Sequence, residues 1–101
     1  MQPEIGEMWR YRFTVSGRVQ GVFFRKFTKQ KADEIGITGH CRNTSNLESV
    51  EGEIEGTEAA TAEMVRWLKE EGSPRSVVEL SKFDLISKGS TRLYNSFEIR
   101  K

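Results

Sequence analysis

Apolar and polar residues alternate at residues 9–16, where aromatic or aliphatic side chains occupy every second position. This period of two predicts a strand with one buried face. From Val22 the apolar spacing becomes helical, and Gly36 supplies a typical glycine stop. Residues 17–21, with a glycine at each end, are predicted to be the loop between strand and helix. The inner face of the helix would consist of Phe24, Phe27, Ala32 and Ile35.

The rest of the chain repeats these two kinds of pattern. Glu51, Glu53 and Glu55 alternate with small or apolar residues, so one strand should have an acidic outer face. Thr57 is a suitable N-cap for a second helix. The elements predicted after the first helix are a strand at 38–44, a turn at 45–49, a strand from 50 to 55, a helix at 58–71, and strands at 77–85 and 93–100.

This order, βαββαβ with an extra strand near the end, predicts an α+β fold. Two helices cannot cover both faces of so small a sheet, so both should pack on one face of a mainly antiparallel sheet of four or five strands. We expect a single domain at residues 9–101, preceded by an extension at residues 1–8. The core candidates among the larger aromatic residues are Phe23, Phe24, Phe27 and Trp67.

Composition and charge narrow the class of protein. Of the 101 residues, 36% are hydrophobic and 31% charged, which is typical of a globular domain. The net charge of +1 argues against binding to nucleic acid or membrane. Residues 8–32 nevertheless carry seven basic residues and no acid, which either attract a small anion or form a solvated face. A single cysteine, Cys41, and no signal peptide favour a cytoplasmic protein. No long apolar stripe remains outside the predicted core, so a monomer is expected.

Most residue sets used in phosphate chemistry are missing from the sequence. His40 is the only histidine, and Asp33 and Asp84 are the only aspartates, which excludes paired-histidine and paired-aspartate sites. Cysteine phosphatases carry an arginine six residues after the nucleophile, whereas Leu47 stands six after Cys41. No Walker loop is present. If the chain is an enzyme, we expect no metal, no cofactor, no covalent nucleophile and no histidine base.

One segment carries a specific motif. Residues 16–25 read Ser-Gly-Arg-Val-Gln-Gly-Val-Phe-Phe-Arg, which resembles the signature of the acylphosphatase family. Residues 39–43 read Gly-His-Cys-Arg-Asn and resemble the second family motif. Here His40 replaces the usual aromatic residue, and the following turn is one residue longer and lacks its glycine. The likeness extends over residues 11–100.

The resemblance implies a ferredoxin-like α/β sandwich and hydrolysis of acyl phosphates to a carboxylate and inorganic phosphate. It also implies that Arg25 binds the phosphate and that Asn43 orients the water. A loop bounded by glycines before a helix can turn its backbone N–H groups inward to hold an anion. The residues of this predicted phosphate-binding loop are Gly17, Arg18, Val19, Gln20, Gly21 and Val22.

An acyl phosphate needs little more than these groups, because its carboxylate leaving group departs without protonation. Catalysis is then mainly positioning and electrostatic stabilisation. Two alternatives remain open at this point. The chain could be a non-catalytic or weakly active phosphate-binding accessory domain, for which the altered turn after Asn43 is the best argument. It could also be an RNA-binding module, against which the acidic outer face argues.

Overall fold

The computed structural model describes residues 7–19, 23–46, 48–74 and 76–100. The predicted α+β, ferredoxin-like order is confirmed. The elements are β1 (Met8–Arg18), α1 (Phe24–Ile35), β2 (Thr38–Asn43), β3 (Ser49–Gly56), α2 (Glu58–Glu70), β4 (Val77–Gly89) and β5 (Phe97–Ile99).

The five strands form one sheet in the order β4-β1-β3-β2-β5. All neighbours are antiparallel except β2 and β5, which run parallel at one edge. Helix α2 packs over β1, β3 and β4, while α1 packs against β2 and β5. Because α1 lies over the parallel edge, its first turn lies near the ends of β2 and β5.

The core lies between the helices and one face of the sheet. Phe13 and Val15 of β1 are buried, as the alternating pattern predicted, and they pack with Phe24, Met64 and Leu68 from the helices. Removing this apolar surface from water stabilises the folded state by about 25 cal/mol for each Å² that is buried. The predicted helix ends are also found: Thr57 caps α2 by accepting a hydrogen bond from the Ala60 amide at 3.2 Å, and Gly36 follows α1 with φ 81°.

Strand β1 continues two residues beyond its predicted end. Gly17 and Arg18 were expected in the phosphate-binding loop, but they are strand residues paired with Val78 and Val77 of β4. A bulge separates Ser16 from Gly17, whose φ is 129°. A Cβ at Gly17 would lie 2.2 Å from the carbonyl oxygen of Val77, so only glycine fits this approach of the two strands.

The segment before β5 also differs from the prediction. Only Phe97–Ile99 form the last strand, because the amides of Leu93 and Tyr94 donate to the carboxylate of Glu55 at 2.7 and 3.0 Å. Glu55 lies on the predicted outer face of β3, but this segment covers it and leaves it 1% exposed.

Two further observations concern the exposure of Phe23 and the character of the two helices. Phe23 was predicted in the core but is 70% exposed, so that prediction is wrong, whereas Phe24 beside it is 1% exposed. In the described part of the chain, neither helix has the length and apolar character needed to cross a membrane.

Candidate active site

Helix α1 begins with a turn suited to an anion. Phe23 precedes the helix in the left-handed conformation, and its carbonyl accepts the first helical hydrogen bond, from the Phe27 amide at 3.0 Å. The amides of residues 24–26 therefore have no partner within the helix. The first turn contains no acidic residue and carries both Arg25 and Lys26. The helix dipole and two cations make this turn electropositive.

Arg25 contacts the end of the last strand. Its Nη1 donates to the backbone carbonyl of Arg100 at 3.4 Å. The amide of Arg100 in turn donates to the carbonyl of Cys41 at 2.8 Å, which continues the pairing of β5 with β2. Because a guanidinium has five N–H donors, the contact with Arg100 leaves donors that can bind two oxygens of one ligand.

Asn43 is the last residue of β2 and pairs with Val50 of β3. Hydrogen bonds from Thr44 close the turn that follows. The Thr44 amide donates to the carbonyl of Ser49 at 2.9 Å, and its hydroxyl donates to Oδ1 of Asn46 at 2.7 Å. The altered turn is thus held by side chains in place of the missing glycine.

A cavity of about 350 Å³ brings Arg25 and Asn43 together. They come from the start of α1 and the end of β2, and both line this one space. Lys26 adds a second cation. The remaining lining is apolar and consists of Val19, Phe23, Phe24 and Ile99. A ligand with an anionic end and an apolar end would match this division.

The predicted phosphate-binding loop is only partly described. Val19 is buried, lines the cavity, and donates its amide to the carbonyl of Gly17 at 3.0 Å. Among the described residues, Gly17 and Arg18 do not line the cavity. Gln20, Gly21 and Val22 lie outside the described residues.

Cys41 lies next to this region on β2 and is buried. Burial raises the pKa of its thiol to about 12, and the positive charge of Arg25 offsets only part of that rise. The thiol is therefore protonated at neutral pH and is neither a nucleophile nor a base. Within residues 7–19, 23–46, 48–74 and 76–100, no group of three or more His, Cys, Asp or Glu side chains could hold a metal ion.

Sequence reasoning missed several groups around the cavity. Phe23 lies two residues before Arg25 and Lys26 follows it directly, so their closeness to Arg25 in the sequence was a usable signal. Ile99 and the carbonyl of Arg100 come from the other end of the chain. Their approach depends on the parallel alignment of β5 with β2, which no local pattern reveals.

The family model, the curated relatives and two of the solved structures point to one family. The sequence model of the family described as Acylphosphatase matches residues 11–99. Acylphosphatase-1 of Gallus gallus is 40% identical over 89 residues, which cover 88% of this chain and 89% of that protein.

Two solved structures give the same result. An acylphosphatase from Coxiella burnetii is 34% identical, with a TM-score of 0.84 and 99% of each chain covered. An acylphosphatase from Bacillus subtilis is 33% identical, with a TM-score of 0.79, and covers 92% of this chain and 99% of its own. These likenesses support the enzyme prediction over the accessory-domain and RNA-binding alternatives.

Proposed function

Since this chain belongs to the acylphosphatase family and is an enzyme that hydrolyses acyl phosphates, we propose that Arg25 binds the phosphoryl group and Asn43 orients the attacking water. The observation that supports these roles is the shared cavity, in which Arg25 and Asn43 meet at a helix N-terminus without an acidic first turn. Both features favour a bound anion with a polar group beside it.

In the proposed reaction, the oxygen of water attacks phosphorus and the bond from phosphorus to the carboxyl oxygen breaks. The electron pair leaves with the carboxylate, and a phosphoryl oxygen of the substrate takes the proton of the water. The side-chain carbonyl of Asn43 accepts a hydrogen bond from the water, while its NH₂ donates to a phosphoryl oxygen. The fork of Arg25 donates to two phosphoryl oxygens as charge develops on them.

The rest of the cavity complements these two residues. The amides of the first turn of α1, with those of residues 19–22 of the predicted phosphate-binding loop, supply further donors to the phosphate. Within this loop, the amide of Val19 would first have to leave the carbonyl of Gly17. Phe23 and Ile99 lie on the apolar side of the cavity and would contact the acyl group.

The same proposal covers partners and location. The substrate is a small acyl phosphate, the product is inorganic phosphate, and the enzyme works as a monomer without metal or cofactor. A net charge of +1 is consistent with a protein that binds neither nucleic acid nor membrane. One buried, unpaired cysteine is consistent with a cytoplasmic protein.

Hydrolysis of benzoyl phosphate in the presence of EDTA tests the proposal. We expect Arg25→Ala and Asn43→Ala each to lower kcat by about 10²–10³-fold, as loss of one preorganised donor to a developing oxyanion does. Circular dichroism would confirm that each variant is folded. Matched controls are Arg66→Ala, on the exposed side of α2, and Asn95→Ala, an exposed residue before β5. Near wild-type rates in a folded Arg25→Ala or Asn43→Ala variant would remove that residue from the mechanism.

A further inference from the structure

A second cavity, of about 280 Å³, lies on the face of the sheet opposite the helices. Its residues alternate with core residues along the strands: Arg12 and Thr14 flank Phe13, and His40 and Arg42 flank Cys41. Arg100 lines the cavity from beyond β5. Among the described residues, no side chain lines both this cavity and the one that holds Arg25 and Asn43.

Positive charge predominates in this lining. Three guanidinium groups, from Arg12, Arg42 and Arg100, share the cavity with the carboxylates of Glu51 and Glu53. Guanidinium groups bind phosphate and carboxylate oxygens through paired N–H donors. A cavity with a surplus of such groups favours a ligand with negative charge.

The shorter contacts of these two carboxylates are made by groups other than Arg12 and Arg100. Arg42 holds Glu51 through two short contacts, of 2.8 and 2.9 Å. Glu53 accepts a hydrogen bond from the Tyr94 hydroxyl and lies 3.5 Å from Arg10.

By contrast, Arg12 and Arg100 contact carboxylates at longer distances. Arg12 lies 3.8 Å from Glu53, and its side chain is 64% exposed. Arg100 lies 3.6 Å from Glu98 at the surface. Exposed pairs at such distances contribute little, so most donors of these two arginines can turn to a ligand.

We propose that this cavity is a second anion-binding site, in which Arg12 and Arg100 hold a small oxyanion of two or more negative charges and Thr14 donates its hydroxyl. Its volume of about 280 Å³ is slightly below the usual range for small-molecule sites, which excludes a large ligand. A phosphate group and a polycarboxylate share the required chemistry. Among the described residues, the site shares no lining side chain with the cavity of Arg25 and Asn43.

His40 provides a direct readout because it lines the cavity and is the only histidine of the chain. Burial lowers the pKa of its imidazole from 6.5, and among the surrounding charges Arg100 and Arg42 lower it while Glu53 and Glu98 raise it. Its ring also packs edge-on against Tyr94, with centroids 5.5 Å apart. An anion bound between the arginines would offset their positive charge, so the pKa of His40 should rise on binding.

The experiment is a titration of the imidazole NMR signals of His40 at constant ionic strength. One arm uses inorganic phosphate and the other uses citrate, so the two arms distinguish a phosphate ligand from a polycarboxylate. Both arms are repeated in the Arg25→Ala variant, which removes the phosphate contact proposed for the catalytic cavity, so a shift that persists there is assigned to the cavity beside His40. We expect a saturable shift in at least one arm, with a dissociation constant on the order of 1 mM or tighter, and a higher pKa for His40 when the anion is bound.

Variants assign the effect to the cavity. Arg12→Gln should weaken binding about tenfold or more, because it removes one charge-assisted contact. Arg66→Gln removes the same charge from an exposed position on α2 and should leave binding unchanged. The absence of a saturable shift in both arms would overturn the proposal, as would equal affinity in the Arg12→Gln variant. The benzoyl phosphate assay is separate, so either proposal can fail without the other.

Discussion

Nη1 of Arg25 and the backbone carbonyl of Arg100 are 3.4 Å apart, although the two residues are separated by 75 positions in the chain. This hydrogen bond joins the first turn of α1 to the end of β5. The carbonyl of Arg100 lies in a fixed register because its amide bonds to Cys41 of β2. The orientation of the guanidinium therefore depends on the pairing of β5 with β2 as well as on the helix.

Arg25→Lys tests whether charge alone is sufficient at this position. Lysine keeps the positive charge but has no planar fork, so it cannot contact the Arg100 carbonyl and two phosphoryl oxygens in the same geometry. We expect kcat for benzoyl phosphate to fall by about 10²-fold or more. The melting temperature should change little, because the bond to Arg100 is long and exposed.

Arg66→Lys is the matched control, because Arg66 forms an exposed pair with Glu71 at 3.2 Å. Its activity and melting temperature should both resemble those of the unmodified protein. If Arg25→Lys keeps most of the activity, the guanidinium acts as a point charge and the proposed two-oxygen contact is wrong.

The adjacent residues Phe23 and Phe24 should respond very differently to substitution by alanine. Phe24 is 1% exposed and packs against Trp67, with ring centroids 6.0 Å apart, so Phe24→Ala should lower the free energy of unfolding by about 3–5 kcal/mol. Phe23 is 70% exposed, and Phe23→Ala should change the free energy of unfolding by less than about 1 kcal/mol. Urea denaturation measures both.

The two phenylalanines also separate stability from activity. Because Phe23 lines the catalytic cavity, Phe23→Ala should raise KM for benzoyl phosphate more than for acetyl phosphate, whose acyl group is smaller. An equal effect on both substrates would mean that Phe23 does not contact the acyl group. Large destabilisation by Phe23→Ala would contradict its exposed position.

The contrast between these neighbours shows how far the sequence could predict the structure. Alternation at residues 9–16 predicted the burial of Phe13 and Val15, because the period of a strand fixes which side chains share a face. The helical period does not extend to the residue before the helix. Phe23 has a left-handed backbone, with φ 57°, and its side chain lies outside the core.

The remaining differences involve contacts between distant parts of the chain. The pattern placed Glu55 on the correct face of its strand, but the segment that buries it begins almost forty residues later. The motif identified Arg25 and Asn43 as candidates, and both line one cavity. The approach of Ile99 and Arg100 to that cavity depends on the pairing of β5 with β2, which the local sequence pattern does not reveal.

Glu55→Gln should destabilise the fold. The buried carboxylate accepts three hydrogen bonds, from the Thr38 hydroxyl at 2.8 Å and from the amides of Leu93 and Tyr94. Glutamine has one acceptor oxygen, so its NH₂ group would meet at least one of these donors. We expect the free energy of unfolding in urea to fall by about 2–3 kcal/mol.

Glu51→Gln is the control for Glu55→Gln, because it removes a charge from the same face of β3. Glu51 pairs with Arg42 at the partly exposed surface, so the expected loss is about 1 kcal/mol or less. Similar effects of the two substitutions would show that the three bonds to Glu55 do not anchor the segment before β5. The folded Glu55→Gln variant should keep its activity, since Glu55 does not line the catalytic cavity.

Cys41 should make the protein less stable at alkaline pH. Burial raises the pKa of its thiol from 9.0 to about 12, so between these values the unfolded chain loses a proton that the folded chain retains. The unfolded state then binds fewer protons, and stability falls as pH rises, by up to about 1.4 kcal/mol per pH unit. Below pH 9 both states keep the proton, and this contribution to the pH dependence disappears.

Urea denaturation between pH 8 and pH 11 measures the effect in the unmodified protein and in Cys41→Ala. The variant loses packing at every pH, so its free energy of unfolding is lower throughout. The quantity to compare between the two proteins is therefore the change in the free energy of unfolding with pH. Tyr94 contributes to the slope in both proteins, since burial and its hydrogen bond to Glu53 raise the pKa of its hydroxyl above 10.0. Cys41→Ala should therefore show the shallower decline above pH 9. Equal slopes would mean that the thiol ionises as readily in the folded chain as in the unfolded chain, and that Cys41 is accessible to solvent.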